Sequence, residues 1–186
     1  MLGRLGRSAH LPQPPDRLIE RLRARGVRIG SGCEIYTESF STEPYLVTIG
    51  DRVAISGGTK FITHDGAAWL LRPKRPRLQF LGEIEIGDET FVGEDCIILP
   101  GARIGRGCIV AAGSVVRGRI PENSLIVGNP GRVIGRASLL LEILAHRRGA
   151  IESLDLREPE RARVILDHFR PKISISGVAS GGIAGP

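Results

Sequence analysis

Residues 86–116 read IGDETFVGEDCIILPGARIGRGCIVAAGSVV, and every sixth position is a β-branched aliphatic: Ile86, Val92, Ile98, Ile104, Val110 and Val116. Four places after an anchor the residue is small or compact: Thr90, Cys96, Ala102, Cys108 and Ser114. Gly87, Gly93 and Gly105 directly follow anchors. A helix repeats its apolar stripe near 3.6 residues and a half-buried strand at 2. A period of six suits neither as one long element. It suits strands of a few residues separated by tight corners, each sending one anchor inward, which is the hexapeptide repeat of a parallel β-helix. Ile86-Gly87-Asp88 recurs as Ile104-Gly105-Arg106 eighteen residues on, so three hexads close one triangular turn. Burying each stacked anchor is worth roughly 1.5–3 kcal/mol. Such a stack is stabilised turn by turn and needs its ends covered.

The repeat runs outward from this stretch. Upstream it begins at Ile29-Gly30-Ser31-Gly32-Cys33, with Ile35 as the next anchor and a poor third hexad holding Ser41, Thr42, Glu43 and Pro44. Ile49 restarts it twenty residues after Ile29, a slip of two, and Ile55 and Phe61 follow. From His64 to about Glu85 no hexad fits. That segment holds Trp69, the only tryptophan, and the basic run Arg72-Pro73-Lys74-Arg75-Pro76-Arg77. A loop of this length in a compact fold is usually functional or disordered, and its opening at a histidine favours function. After Ile120-Pro121 the repeat degrades.

The expected organisation is therefore mainly β. Residues 1–26 form an N-terminal segment, in which Asp16 caps a short helix over Arg17–Arg25, stopped by Gly26. That helix lids the open end of the coil and turns its arginines to solvent. Residues 27–136 form the β-helix with a protruding loop over 64–85. Residues 137–170 form a helical segment: an amphipathic helix over 138–148, with Leu139, Leu140, Ile143 and Leu144 on one side, and a second over Glu160–Phe169. Residues 171–186 are expected to be a disordered tail.

Composition narrows the class. The chain has 186 residues, net charge +6, 25 glycines and only 4% aromatic residues. Scattered arginines without a recognition motif or stacking platform argue against nucleic acid, and the excess charge would suit a phosphate-rich ligand. Cys33, Cys96 and Cys108 all sit at the small inward place of a hexad. They are read as buried thiols of a reducing compartment rather than nucleophiles or a disulfide framework. Neither a signal peptide nor a transmembrane run is expected, which gives a cytoplasmic location.

On these repeats the chain resembles the hexapeptide-repeat (isoleucine patch) acyltransferases, a group that includes xenobiotic, maltose and other sugar O-acetyltransferases. The resemblance covers about residues 27–136. It implies a left-handed wind, against the usual right-handed crossover, and a homotrimer with sites at the subunit junctions. It implies acetyl-CoA as donor and a sugar as acceptor, in surface polysaccharide or lipopolysaccharide synthesis. His64, in Phe61-Ile62-Thr63-His64-Asp65-Gly66, matches the histidine that acts as general base in that group. A sugar hydroxyl is a poor nucleophile until its proton is removed, and imidazole suits that work near neutrality. Asp65 is carried as an orienting or acceptor-binding residue. Trp69 is read either as an acceptor wall or as core packing.

For the donor, Ala112 in Ala111-Ala112-Gly113-Ser114 matches the small-residue corner that meets pantetheine. Arg117-Gly118 matches a corner with a cofactor-facing cation. Gly93 offers a backbone contact, although Glu94 stands where a serine is common. Gly128-Asn129-Pro130-Gly131-Arg132 selects Arg132 for the cofactor phosphates, with Gly135 rather than a base three places on. No cysteine is placed to carry an acyl group, so transfer is expected to be direct. Two other readings use the same coil. A γ-carbonic anhydrase would need three histidines around zinc, and among His10, His64, His146 and His168 only His64 lies in the coil. A non-catalytic scaffold subunit would need neither His64 nor Arg132.

Overall fold

The computed structural model describes residues 15–154 and 156–170. The expectations for residues 1–14 and for the tail from 171 lie outside them. The chain divides into two units, Met1–Ile143 and Leu144–Pro186.

The first unit is a triangular stack with three strand sides, A, B and C. The first coil holds β1 (Arg28–Ile29) on side A and β2 (Glu34–Ile35) on side B. Its side C is a single bridge from Phe40 to Phe61. The second coil is β3 (Val47–Ile49), β4 (Ala54–Ile55) and β5 (Lys60–Phe61). The chain then leaves as a hairpin, β6 (His64–Asp65) and β7 (Phe80–Leu81), joined through a 3₁₀ helix over Gly66–Leu71. It rejoins as β8 (Ile84–Ile86), β9 (Phe91–Val92) and β10 (Ile97–Ile98), followed by β11 (Arg103–Ile104), β12 (Ile109–Val110) and β13 (Val115–Val116). A partial fifth coil, β14 (Arg119–Ile120) and β15 (Ser124–Val127), ends on β16 (Arg132–Arg136).

The order on side A is β1-β3-β8-β11-β14, on side C β13-β10-β5, and on side B β16-β15-β12-β9-β4-β2. All pairs within the three sides are parallel except β15 with β16. Glu85 opposes Arg103 and Phe91 opposes Ile109, the spacing that the repeat dictates. Arg28 opposes Thr48, which is the expected slip of the first coil. A second slip was not expected. Arg103 opposes Arg119 and Ile109 opposes Leu125, so the last coil is short by two residues at the Arg117–Gly118 corner. Gly118 takes φ +70° there, and Ile120 becomes the next anchor.

The anchors Ile35, Ile55, Phe61, Val92, Ile98, Val110, Val116 and Ile126 are wholly buried. The small inward residues fit beside them for a second reason. Corner carbonyls fall outside the ladders, and short polar side chains satisfy them. Thr59 Oγ1 donates to Gly93 O at 2.8 Å, Cys96 Sγ to Ala111 O at 3.2 Å, and Cys108 Sγ to Pro121 O at 3.1 Å. The three thiols are free and buried, and burial pushes those of Cys96 and Cys108 up. Phe40, unmarked by the repeat, completes the poor third hexad by stacking on Phe61 with ring centroids 4.5 Å apart.

The open end is lidded by α1 (Pro15–Ala24), which begins before the expected cap so that Asp16 lies in its first turn. Leu18, Ile19 and Leu22 join the coil core. Its arginines are not all turned to solvent. Arg23 Nη2 donates to Ile29 O at 3.0 Å and Gly30 O at 2.7 Å, and Arg25 at the helix end reaches Phe40 O at 3.2 Å. First-coil carbonyls have no coil below them, and these guanidiniums occupy that edge. At the far end, α2 (Ala137–Ala145) is pinned by Asn123 Oδ1, which accepts from Ser138 N at 2.9 Å. Of the apolar side of the expected helix, Leu139, Ile143 and Leu144 are exposed. In the second unit α3 covers Glu160–Phe169. Among the described residues no helix is long and apolar enough to cross a membrane.

Candidate active site

The stack aligns its corners into edges, and the edge between sides C and A gathers chemistry. Each coil adds one corner to it: Ser41–Glu43, Ile62–His64, Leu99–Pro100 and Arg117–Gly118. His64 stands where the second coil gives way to the hairpin, with its side chain 43% exposed. Its Nδ1 lies 3.0 Å from Oε2 of Glu43, the residue 21 places earlier on the coil beneath. Glu43 is 12% exposed at its side chain. It also accepts from Thr63 Oγ1 at 2.9 Å and from Thr42 Oγ1 at 2.7 Å. These contacts, the Thr42 hydroxyl first and then His64, hold its carboxyl below the usual carboxylate range. An ionised carboxylate only accepts, so the proton of the neutral ring is assigned to Nδ1 and Nε2 keeps its lone pair.

Two cavities flank the ring. One of about 180 Å³ is lined by Glu43, His64, Asp65, Arg72, Gln79 and Phe80 among others. The other, of about 370 Å³, is lined by Ile62, His64, Asp65, Leu99, Pro100 and Arg117. His64, Asp65 and Arg117 are thus brought together. Asp65 is committed locally: its Oδ1 accepts from Ala67 N at 2.9 Å and starts the 3₁₀ helix. Trp69 is 66% exposed, so the core-packing alternative for it fails.

The other donor-site candidates fall elsewhere in the chain. Gly93 and Ala112 are stacked corners of the edge between sides B and C. A Cβ on Gly93 would come within 2.6 Å of Ala112 N, so close coil stacking alone requires glycine there. Arg132 opposes Val127 at the end of side B and is exposed. Neither Arg117 nor Arg132 has an ion-pair partner among the described residues, which leaves both guanidiniums open to a phosphate. Among those residues no group of His, Cys, Asp or Glu side chains could hold a metal ion.

Glu43 was missed in the sequence because its hexad looked broken. The signal was present in the winding: Phe40 bridges Phe61 across 21 residues, and one coil back from His64 is Glu43.

The profile of the bacterial transferase hexapeptide (six repeats) family matches residues 83–118. Protein CapG of Staphylococcus aureus is 42% identical over 118 residues, covering 62% of this chain and 69% of CapG. "Putative lipopolysaccharide biosynthesis O-acetyl transferase WbbJ" of Escherichia coli (strain K12) is 49% identical over 51 residues, 27% of this chain and 26% of WbbJ. A hexapeptide-repeat acetyltransferase from Vibrio cholerae O1 biovar eltor, solved in complex with acetyl coenzyme A, superposes with TM-score 0.52 at 29% identity. That match covers 60% of this chain and 61% of that one. The period-six sequence, the parallel three-sided stack and these likenesses agree: the chain belongs to the hexapeptide-repeat acetyltransferase family.

Proposed function

We propose that this protein transfers the acetyl group of acetyl-CoA to a sugar hydroxyl, as a cytoplasmic enzyme of surface polysaccharide or lipopolysaccharide synthesis. Residues 27–136 are its catalytic domain, wound left-handed as in the resembled family. The observation that carries the reading is the Glu43–His64 pair, set where the winding is interrupted and open to cavities on both sides. The acetyl-CoA bound to the Vibrio relative and the name of WbbJ support the donor and the acceptor class.

His64 Nε2 takes the proton of the acceptor hydroxyl as its oxygen attacks the thioester carbonyl. The tetrahedral intermediate collapses, the new ester forms, and the coenzyme thiolate leaves with the proton carried by His64. Such assistance is worth about 10²–10⁴ in rate. Glu43 is a positioning residue that fixes the tautomer and steadies the imidazolium.

The site is shared between copies in a homotrimer. One chain places His64 and Arg117 on one edge, and Gly93, Ala112 and Arg132 lie toward a different edge. A neighbouring copy supplies that second edge, so the donor lies in the seam. The residues suit coenzyme A: close-packed small corners offer backbone amides to pantetheine, and the open guanidiniums of Arg117 and Arg132 meet its phosphates. The test is His64→Ala, assayed for thiol release from acetyl-CoA with sugar acceptors. Turnover should fall by about 10²–10⁴. Near wild-type turnover by a folded trimer would overturn the assignment.

A further inference from the structure

The strand that carries His64 is one arm of a hairpin, with His64 opposite Leu81 and Asp65 opposite Phe80. At the far end of that hairpin lie Arg72, Lys74, Arg75 and Arg77, all exposed. Elsewhere on the stack three exposed arginines have carboxylate partners, Arg52 and Arg106 with Glu89 and Arg103 beside Glu83 and Glu85, whereas Arg117 and Arg132 stand alone like the hairpin cations. The four hairpin cations have no carboxylate partner among the described residues. Their backbone is fixed by tight turns, with Lys74 N and Arg75 N both donating to Leu71 O and Leu78 N to Arg75 O. Pro73 and Pro76 add two locked φ angles.

Three of the four border cavities, a half-enclosed one at Arg72 and a shallow, open one at Arg75 and Arg77. Arg72 lines the 180 Å³ cavity that also holds His64 and Glu43. Arg75 and Arg77 line a neighbouring cavity of about 590 Å³, and Leu78 and Gln79 are walls of both. The shared walls set Arg75 and Arg77 beside the cavity that holds His64 and Arg72, within the span of one extended ligand. Planar guanidinium forks match phosphate oxygens bidentately, and clustered positive charge draws an anionic ligand toward the dyad.

We infer that the acceptor is a sugar that carries a phosphate or pyrophosphate, its hydroxyl at His64 and its phosphate held by Arg72, Arg75 and Arg77. This rests on the acetyltransfer reading above and names the acceptor's class. The shared chemistry is a sugar diphosphate ester, whose other end is either a nucleoside or a polyprenyl chain. The competing partner is an anionic bilayer, since Trp69 and Leu70 are 66% and 72% exposed on the same hairpin.

The test uses the full chain with coenzyme A saturating the donor site. Binding of inorganic pyrophosphate is measured by titration calorimetry for wild type, His64→Ala, and Arg72→Ala/Arg75→Ala/Arg77→Ala. Pyrophosphate should bind wild type and His64→Ala alike, and the triple variant about tenfold or more weakly. Charge reversal in Arg75→Glu/Arg77→Glu should weaken it further, with far-ultraviolet circular dichroism unchanged. The preference for a sugar phosphate over the same neutral sugar, as a ratio of kcat/KM values, should fall by a similar factor. Uridine diphosphate and farnesyl diphosphate in micelles are the two source probes. Tighter binding of either than of pyrophosphate supports the inference and identifies the source. Absent pyrophosphate binding, or equal binding by the triple variant, overturns it. So does arginine-dependent co-sedimentation with phosphatidylglycerol vesicles without pyrophosphate binding. Full turnover by His64→Ala with intact, arginine-dependent pyrophosphate binding would instead sink the base assignment and leave the phosphate site standing.

Discussion

Replacing Glu43 by glutamine separates positioning from packing. The carboxylate accepts from His64 Nδ1 at 3.0 Å, Thr63 Oγ1 at 2.9 Å and Thr42 Oγ1 at 2.7 Å. Glutamine keeps the shape and one acceptor oxygen, but its amide can donate to Nδ1. That moves the ring proton to Nε2, where it blocks removal of a proton from the acceptor. The expected loss in kcat is about 10²–10⁴, which is about 2.7–5.5 kcal/mol of barrier at about 1.36 kcal/mol per decade. Stability should change far less. One or two partly buried hydrogen bonds are weakened, at about 0.5–1.5 kcal/mol each, so Tm should drop by only about 2–4 °C per kcal/mol in a chain of this size. The assay is thiol release from acetyl-CoA with a sugar acceptor, read beside a thermal melt. The sign of the pH effect follows from the direction of the Glu43 shift. Its folded pKa lies below 4.5, so its stabilisation is complete above that value and is lost as pH falls through the folded pKa. Assays near neutrality therefore see the intact pair. A variant within about threefold of wild-type kcat would refute the tautomer argument.

Three further outcomes follow from the stack itself. Phe61→Ala removes a wholly buried ring stacked on Phe40 and should cost about 3–5 kcal/mol in chemical denaturation, with His64 loosened as a consequence. Gly93→Ala puts a methyl 2.6 Å from Ala112 N and should destabilise by about 1–3 kcal/mol; Gly118→Ala, with open space but φ +70°, should cost only about 1–2 kcal/mol. Cys96 and Cys108, buried with raised thiol pKa values, should resist a maleimide probe in the native protein and react on unfolding.

The parts of this fold that repeat were legible from the sequence, and the parts that depend on one coil sitting upon another were not. Ile86 to Val116 announced their own geometry because period six has one structural solution, and the anchors are buried as that period requires. The short turn at Arg117–Gly118 was hidden because a slip of two leaves Ile120 looking like the end of the pattern. Phe40 and Glu43 were hidden for a related reason: each is defined by its neighbour one coil above, and a linear search for aliphatics every six residues passes over both. Arg23 and Arg25 looked like ordinary helix surface, since only the exposed carbonyls of the first coil give them partners. His64 stood out because it breaks a rule that its surroundings keep. The residues proposed to meet the donor matched motifs, yet their distribution over two edges reflects winding around a prism and cannot be read from distance along the chain.

The hairpin also carries a consequence for how such enzymes diversify. β5 ends one coil and β8 begins the next in register with β3, as if nothing intervened. The scaffold thus imposes no fixed length on the excursion, and doubling a flexible insert there costs only about 0.6 kcal/mol of closure entropy. On the acceptor reading proposed above, acceptor choice can drift by exchanging this cassette, while the imidazole at its root and the spool beneath it keep their places.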